Sequence, residues 1–517
     1  MGETERLGDG RRPTPRTGGA DGALAIVLHT HMPYVEGFGT WPFGEEWLWE
    51  AIASSYLPLL DLLDAGAPLT LSLTPVLCDQ LQAPGVGERF ARFVSDVRGH
   101  THREDARGLR DTGHPALAGE LERAWGDYQG ALESFQRRGG DLLGAFAPHA
   151  QWTSAATHAV LPLLATHAGL RLQLQSGIAS HRARFGGKPS PPGGPTGAGP
   201  VPGGPSPAGP SPAGHPWRGG FWLPECAHHP ELEPALAEAG VRATCVELTN
   251  RLGLGAAAHL QPLRGPAGVL LAPIDRATIA LVWSDAGYPA HALYRDYHRH
   301  TIHHHNPWAN DGSPYDHHRA LALAREHAAD FVRRVRARLR RDGAGLPGGG
   351  LVVCALDTEL LGHWWYEGPH WLAAVVHECR RQGLELLRLD DALHRYEAVP
   401  APADLGVSTW GAGGDLSTWS GPAVADIAFA TRAAELAVLR AGRQVGAAAA
   451  RELLALQSSD WAFMVAKGLA VPYARERFAH HRDALGRALG EGVGADVGGL
   501  RGLAVHAEPG VLLEPAG

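Results

Sequence analysis

The sequence has little of what marks a secreted, membrane-embedded or nucleic-acid-binding protein. Five of its 517 residues are cysteine, and they lie far apart without CxxC spacing, which argues against a disulfide framework and a cysteine zinc site. No run approaches the roughly 18 consecutive apolar residues that predict a membrane-spanning helix. The net charge of -8 offers no positive field that would attract nucleic acid or an anionic membrane. We therefore expect a cytoplasmic chain with neither of these partners.

The sequence pattern divides the chain into several regions. Residues 1–22 are polar and rich in Gly and Pro, which predicts a disordered tail and no signal peptide. Apolar strands alternate with helical stretches over residues 23–400, which favours an α/β domain with a parallel sheet. Within it, residues 87–138 have a charged helical pattern that predicts an insertion, and the Pro/Gly/Ser tract at 186–214 predicts a disordered loop. Residues 401–517 predict a Trp-bearing linker and an all-helical C-terminal domain.

Ionisable and aromatic side chains collect where the predicted strands end. Because the carboxyl ends of parallel strands open on one face of a barrel, residues distant in sequence can meet there. These positions are His29, His31, Trp152, His158, Glu225, Asp357, Glu359 and His363.

Two of these carboxylates, Glu225 and Asp357, each follow an apolar run flanked by Trp. Desolvation in such a setting raises the pKa of one carboxyl group, while a nearby cation or hydrogen-bond donor keeps the other ionised. A reaction that uses one group as nucleophile and the other as general acid needs this difference in protonation between the two carboxyl groups. For a single carboxylate the alternative is a helix N-cap or a salt bridge.

The chain holds 15 Trp and 29 His but 3 Met, and the flat indole ring suits stacking on the apolar faces of sugars. Trp410 and Trp419 lie in a Gly-rich stretch, where they form either a binding platform or an interdomain contact. His29 and His31 project to one side of a strand, as hydrogen-bond donors or as a metal pair. The sequence names no third and fourth ligand, so we predict no metal. The polar cluster at 298–305 predicts a solvated loop.

Five strings in the sequence carry a resemblance to a known family. They are HTHMPYV, TSAATHAVLPLL, FWLPECAH, ALDTELLGHWWYEG and LQSSDWAFM, with the stretch STWGAGGDLSTWSG between the last two. In this order they resemble the five motifs of glycoside hydrolase family 57, and within it the 1,4-alpha-glucan branching enzymes. The resemblance runs from about residue 24 to about residue 490. It implies a distorted (β/α)7 barrel followed by a helical domain, in agreement with the α/β pattern above.

The resemblance also implies roles for single residues. Glu225 would be the nucleophile and Asp357 the general acid/base of a retaining mechanism, with carboxyl groups roughly 5 to 5.5 Å apart. The substrate, an alpha-glucan polymer such as amylose or a glycogen-like glucan, would contact His29, His31, His158, Trp283, Trp364, Trp410, Trp419, Asp460 and Trp461. Such a mechanism needs no cofactor, and the sequence has no GxxxxGK[ST] phosphate loop.

One departure from the family pattern leaves two reactions, branching and hydrolysis, as alternatives. Branching enzymes of the family usually hold a tyrosine over the active site on a mobile loop, whereas the corresponding residues 246–268 are short and contain no Tyr or Phe. A retaining alpha-glucan hydrolase is therefore the alternative, because a shortened loop would admit water. The motif after Glu225 also carries two histidines, His228 and His229, at positions where an aromatic and a basic residue are more usual.

Two other classes fit the sequence less well. A glucan-binding protein without turnover would be favoured by the loss of either carboxylate, and both are present. A metal-dependent deacetylase would need an Asp-Asp pair and an HxxxH set that act together as metal ligands, and the sequence does not favour that class. The sequence does not determine the oligomeric state.

Overall fold

A computed structural model describes residues 22–39, 44–186, 217–495 and 498–513 of the chain. The predicted tail at 1–22 and the predicted loop at 186–214 lie outside the described residues, apart from Gly22 and Gly186.

Strands and helices alternate over the first 400 residues. The strands are β1 (Ala23–Thr30), β2 (Thr70–Leu73), β3 (Ala150–Ser154), β4 (Phe221–Trp222), β5 (Ala243–Val246), β6 (Leu263–Arg264), β7 (Leu270–Pro273), β8 (Leu351–Asp357), β9 (Glu385–Leu387) and β10 (Val399–Pro400). The α-helices up to residue 400 are α1 (Glu45–Ala51), α2 (Leu57–Asp64), α3 (Pro75–Leu81), α4 (Val86–Arg92), α5 (Gly99–Asp111), α6 (Pro115–Arg137), α7 (Leu142–Phe146), α8 (His167–Phe185), α9 (Glu233–Glu238), α10 (Thr249–Leu252), α11 (Arg276–Ile279), α12 (His317–Asp342), α13 (Gly368–Gln382) and α14 (Leu389–Arg395).

Helices alone follow in the last part of the described chain. They are α15 (Ser417–Ser420), α16 (Ala425–Ala441), α17 (Ala447–Leu456), α18 (Ser459–Lys467) and α19 (Val471–Glu491). No helix among the described residues is long and apolar enough to cross a membrane.

The centre of the fold is a curved parallel sheet. All eight residues of β1 are buried, as expected for an apolar strand covered on both faces. The sheet order is β4-β3-β2-β1-β8, and every pair in it is parallel. Strand β9 pairs with the first half of β1. A second sheet holds β5 parallel to β7, with the short β6 antiparallel to β7.

Two single contacts join the sheets. A parallel bridge links Gly220, before β4, to Ala243 of β5, and the backbone N–H of Asp275, after β7, donates to the carbonyl of Val353 in β8 at 2.8 Å. With these contacts β1, β2, β3, β4, β5, β7 and β8 follow one another around a ring in the described part of the chain. Because each of these two junctions is one contact wide, the ring is distorted and the (β/α)7 count stays a prediction.

The helices occupy the regions that the sequence pattern indicates. The predicted helical insertion forms α4 to α6, and a π-helical turn, Ile52–Tyr56, joins α1 to α2. Residues of the C-terminal helices, such as Leu453 and Trp461, belong to the same apolar core as Ile26 in β1. The helical region therefore packs directly on the sheet, and its description as a separate domain stays a prediction.

Candidate active site

A cavity of about 1950 Å³ opens at the carboxyl ends of the parallel strands. It is larger than the roughly 300–1,000 Å³ of a small-molecule pocket, which suits part of a polymer. Ten of the eleven predicted site residues line it: His29, His31, His158, Glu225, Trp283, Asp357, Trp364, Trp410, Trp419 and Asp460. The fold thus brings together residues that the chain separates by hundreds of positions.

The strand register sets the floor of this cavity. In the parallel ladders, His29 of β1 is the direct neighbour of Asp357 on β8 and of Ser72 on β2. Glu225 follows β4 in a tight turn and has a left-handed backbone, with φ of 60°. A non-glycine residue in this region carries strain that the surrounding structure must hold, and such strain is concentrated at functional sites.

The Glu225 carboxylate is buried and held by two donors. The hydroxyl of Ser459 donates to Glu225 Oε1 at 2.8 Å, and the indole N–H of Trp410 donates to Oε2 at 3.2 Å. Burial raises the pKa of Glu225, but these two hydrogen bonds oppose the shift because they favour the ionised form. These two donors therefore favour the ionised form of Glu225 against the effect of burial.

The surroundings of the Asp357 carboxyl group differ from those of Glu225. Among the described residues its carboxyl group has no hydrogen bond or ion pair, and it faces two other carboxyl groups, those of Glu359 and Glu225. Burial, followed by the charges of these two neighbours, raises the pKa of Asp357 well above its usual value. Asp357 is therefore the member of the pair that favours its protonated form.

Glu359 lies next to this pair and is itself buried. Its Oε1 accepts from the Tyr56 hydroxyl at 2.6 Å and from the backbone N–H of His31 at 3.2 Å. Burial raises the pKa of Glu359 to about 7. This side chain positions the end of β8 against the helix that carries Tyr56.

Three histidines form a stacked group beside the carboxylates. The rings of His31 and His158 are 3.9 Å apart, and those of His29 and His158 are 5.0 Å apart. Burial holds the pKa of His29 and His158 well below the usual value, so both are neutral. His31 behaves differently: although burial opposes it, the carboxylate of Asp460, 2.9 Å from His31 Nε2, raises the pKa of His31. Only His31 of the three is therefore favoured as a cation.

Side chains of His31, His158 and Asp460 also form a described group with metal-ligand chemistry, since their ligand atoms lie within 4.8 Å of one another. Their atoms are already engaged: Asp460 Oδ1 pairs with His31 Nε2, and His158 Nδ1 lies 2.9 Å from the Ser459 hydroxyl. This arrangement is that of a hydrogen-bonded ion pair, and we assign no metal ligand here.

The Trp-bearing stretch is fixed to the segment that carries Glu225. Backbone hydrogen bonds join His228 to Ser408 in both directions at 2.9 Å, and the N–H of Trp410 donates to the carbonyl of Glu225 at 3.2 Å. Gly411 is required next, because a Cβ there would lie 2.6 Å from the ring of Trp419. The two sequence stretches therefore form one wall.

Aromatic rings line the cavity at several distances from the carboxylates. Trp283 and Trp364 are 51% and 41% exposed, which leaves their faces open to a ligand. The ring of Trp364 also packs at a tilt against Tyr297, with the ring centres 4.5 Å apart. Trp419 is buried, yet its indole N–H has no partner among the described residues. These features fit the stacking and hydrogen bonding that a sugar chain needs.

Trp461 does not reach this wall. Its side chain is fully buried, and its indole N–H donates to the carbonyl of Ala455 at 2.9 Å. The ring packs against Tyr473 and His481. The structure therefore corrects the expectation of substrate contact: Trp461 supports the helix that carries Asp460.

The histidine-rich segment at 298–305 agrees in part with the predicted solvated loop, because His298, His300 and His304 are exposed. His305 is buried, with its ring 3.7 Å from that of His102, and His303 Nδ1 lies 2.6 Å from Asp105 Oδ1. Contacts with α5 thus fold the segment inward, and four of its histidines line the cavity: His298, His300, His304 and His305.

The two histidines that follow Glu225 in its motif, His228 and His229, are not among the residues that line the cavity. His228 is fully buried with Nε2 3.2 Å from Glu233 Oε1, while His229 accepts from the backbone of Glu231 through Nδ1. The short stretch predicted from residues 246–268 contributes residues 247–251 to the cavity, none of them aromatic.

Sequence reasoning did not identify Ser459 or Tyr56 as site residues. Ser459 lies inside the string LQSSDWAFM, beside the predicted Asp460, so its place in a motif was the available signal. Tyr56 lies on a helix far from any motif, and no pattern in the sequence points to it.

Known families match two parts of the chain. Residues 217–401 match the profile of glycosyl hydrolase family 57, and residues 427–491 match the profile of the C-terminal region of 1,4-alpha-glucan branching enzyme.

Similar proteins cover nearly the whole chain. A probable 1,4-alpha-glucan branching enzyme of Mycobacterium tuberculosis is 32% identical over 515 residues, which are 90% of this chain and 91% of the relative. The crystal structure of a GH57-type branching enzyme from Pyrococcus horikoshii has a TM-score of 0.82 at 28% identity, covering 96% of this chain and 97% of that one. A GH57 branching enzyme from Thermococcus kodakaraensis, solved with glucose, has a TM-score of 0.79 at 28% identity and the same coverage. These matches confirm the predicted α/β fold with its helical C-terminal region.

Proposed function

The chain belongs to glycoside hydrolase family 57, and from this premise we propose that it is a 1,4-alpha-glucan branching enzyme that works by a retaining mechanism on amylose or glycogen-like glucans. The match of residues 427–491 to the C-terminal region of branching enzymes supports transfer over hydrolysis.

One observation carries the proposed mechanism: the two central carboxyl groups differ in their hydrogen-bond partners, although burial raises the pKa of both. Glu225 receives hydrogen bonds from Ser459 and Trp410, which favour its ionised form. Asp357 receives none from the described residues and faces two carboxyl groups, which favour its protonated form. A retaining glycosidase requires an anionic nucleophile and a protonated acid on the two sides of one bond.

In the first step, Glu225 attacks the anomeric carbon of a glucosyl unit. The bond between that carbon and the glycosidic oxygen breaks, and Asp357 gives its proton to the leaving oxygen. The product is a glycosyl ester on Glu225, while Asp357 is left ionised. The cation of His31 stabilises the anionic charge that remains in the site.

In the second step, Asp357 acts as the base. It takes the proton from the 6-hydroxyl of a glucan chain, whose oxygen attacks the anomeric carbon and displaces the Glu225 carboxylate. Two inversions give net retention and form an alpha-1,6 branch. Water in place of the hydroxyl would give hydrolysis, so the two reactions differ only in the acceptor.

Remaining sugar units would lie along the aromatic wall. Trp283 and Trp364 offer exposed faces to these units. His29, His158 and Asp460 surround the point where the nucleophile meets the anomeric carbon. The proposal includes a role in glycogen synthesis and a cytoplasmic location. The location is supported by the five cysteines, which are all free and buried.

Product analysis on amylose tests this function. We expect alpha-1,6 signals in the proton NMR spectrum to grow while reducing ends stay nearly constant until debranching. Glu225→Gln should abolish both signals, which shows that they come from this site.

Hydrolysis is the competing outcome, favoured by the absence of an aromatic side chain from residues 247–251 on the cavity wall. Reducing ends that accumulate without alpha-1,6 signals would establish an alpha-glucan hydrolase and contradict the branching assignment.

A further inference from the structure

Ser459 is the first residue of α18; it contacts Glu225 but is not among the residues that line the cavity. Its buried hydroxyl lies 2.8 Å from Glu225 Oε1 and 2.9 Å from His158 Nδ1. The chain separates Ser459 from Glu225 by 234 positions, so the contact exists only because α18 packs against the strand ends.

The hydrogen bonds around Ser459 can run in one direction only. A carboxylate accepts and cannot donate, so the Ser459 hydroxyl gives its one hydrogen to Glu225. Ser459 must then accept from His158, which fixes the hydrogen of that neutral ring on Nδ1. The unprotonated Nε2 of His158 accepts in turn from Nε2–H of His29, 2.9 Å away. A continuous chain of donors thus points from His29 to the nucleophile.

We propose that Ser459 is a positioning residue for Glu225: its hydroxyl, oriented by His158 and His29, fixes Oε1 of the nucleophile and stabilises its negative charge. This inference rests on the proposed function and adds a residue to it. The same donor remains useful after attack, because Oε1 becomes the carbonyl oxygen of the glycosyl ester and still accepts from Ser459. Oε2, whose donor is the cavity-lining Trp410, is then the oxygen that bonds to the sugar.

Several titratable groups lie around Glu225 on the neighbouring elements. His158 Nδ1 lies 3.7 Å from Glu225 Oε1, and the His31 cation favours the ionised form. Asp460 on α18 opposes it, as does Asp357 across the cavity. The Ser459 hydroxyl does not titrate, so removing it changes no charge. The effect of its removal therefore reports the hydrogen bond itself.

Ser459→Ala is the direct test. Losing a hydrogen bond to a charged group should lower kcat by about 10- to 100-fold. It should also raise the pKa of Glu225, because the ionised form loses a donor, so the acidic limb of the kcat/KM profile should move to higher pH by about one to two pH units. A change in packing alone would not move that limb.

Matched variants make the result specific. Ser459→Thr keeps the hydroxyl and should restore the position of the acidic limb. If the alanine variant fails to fold, Ser459→Cys keeps the shape with a weaker donor and should give an intermediate shift. Ser55→Ala removes another buried hydroxyl, one without a partner among the described residues, and should leave both kcat and the limb unchanged.

An infrared titration separates this proposal from the proposed function. The carboxyl band that Glu225→Gln removes reports the protonation of Glu225 without any substrate, and its midpoint should move to higher pH in Ser459→Ala. A wild-type protein inactive on amylose would overturn the branching function and leave this measurement intact. An unchanged midpoint in the folded Ser459→Ala variant would overturn the role of Ser459, whatever the activity.

Discussion

Replacing Asp357 by Asn removes the proposed proton donor and leaves the nucleophile, Glu225, in place. The side chains are nearly equal in size, and among the described residues Asp357 has no hydrogen-bond partner that the change would leave unpaired. The substitution therefore isolates proton transfer from packing, which few changes in a buried site can do.

The magnitude follows from the role. General acid–base catalysis contributes about 10²- to 10⁴-fold, so turnover of amylose should fall by that factor. Folding stability should not fall. The pKa of Asp357 is higher in the folded protein than in the unfolded chain, so the wild type loses stability as pH rises above the unfolded pKa, by about 1.4 kcal/mol for each tenfold difference in proton affinity between the two states. Asn has no such cost, and Asp357→Asn should be at least as stable as the wild type at neutral pH.

The assay compares two leaving groups. Amylose leaves through an oxygen that needs a proton, whereas fluoride leaves alpha-maltosyl fluoride without one. The first step with the fluoride should therefore stay near the wild-type rate, as a burst of released fluoride. Added azide should then release the glycosyl group as an alpha-azide, because azide needs no base and the second inversion restores the starting configuration.

Glu225→Gln is the control, because it removes the nucleophile and should give no burst of fluoride. Equal losses on amylose and on the fluoride in Asp357→Asn would refute the assignment of Asp357 as the acid. A beta-azide product would refute the retaining mechanism.

Two further predictions separate packing from binding and assign a charge. Trp461→Phe should lower the free energy of unfolding by about 1 to 3 kcal/mol, because the variant has a smaller buried ring and loses a hydrogen bond, and KM for amylose should not change. Trp283→Ala should raise KM and leave the melting temperature unchanged. A higher KM with unchanged stability in Trp461→Phe would show that Trp461 contacts the substrate. Asp460→Asn should lower the pKa of His31. Wild-type stability, followed by thermal melts from pH 5.5 to 8.5, should fall as pH rises from about 6.5 through the raised pKa of His31; an equal decline in Asp460→Asn would contradict this ion pair.

Local patterns in the sequence were enough for much of the fold. The apolar runs of β1 and β8 predict buried parallel strands, and polar residues directly after them predict a site at the strand ends. The structure agrees, with His29 and Asp357 side by side in the ladder. Period-two projection also placed His29 and His31 on one side, and their rings stack 6.0 Å apart.

Other residues could not be assigned from the sequence because their environment is made by distant parts of the chain. Trp461 follows a predicted site residue in the same motif, yet its indole is buried between α17 and α19. His305 belongs to a polar stretch, but α5, almost 200 positions earlier, covers it. Neither the hydrophobic pattern nor the composition of a segment predicts such contacts with distant helices.

The sequence by itself determined the alternation of strands and helices, the family motifs and the identity of the two central carboxylates, because these depend on neighbouring residues and on residue chemistry. The tertiary structure alone decided which carboxyl group receives hydrogen bonds that favour its ionised form. Glu225 and Asp357 have the same chemistry, and they differ because the packing of α18 brings the Ser459 hydroxyl to one of them, while strand register places the other among carboxyl groups. Proton affinity in a buried site is set by such contacts across the fold, which no stretch of sequence contains.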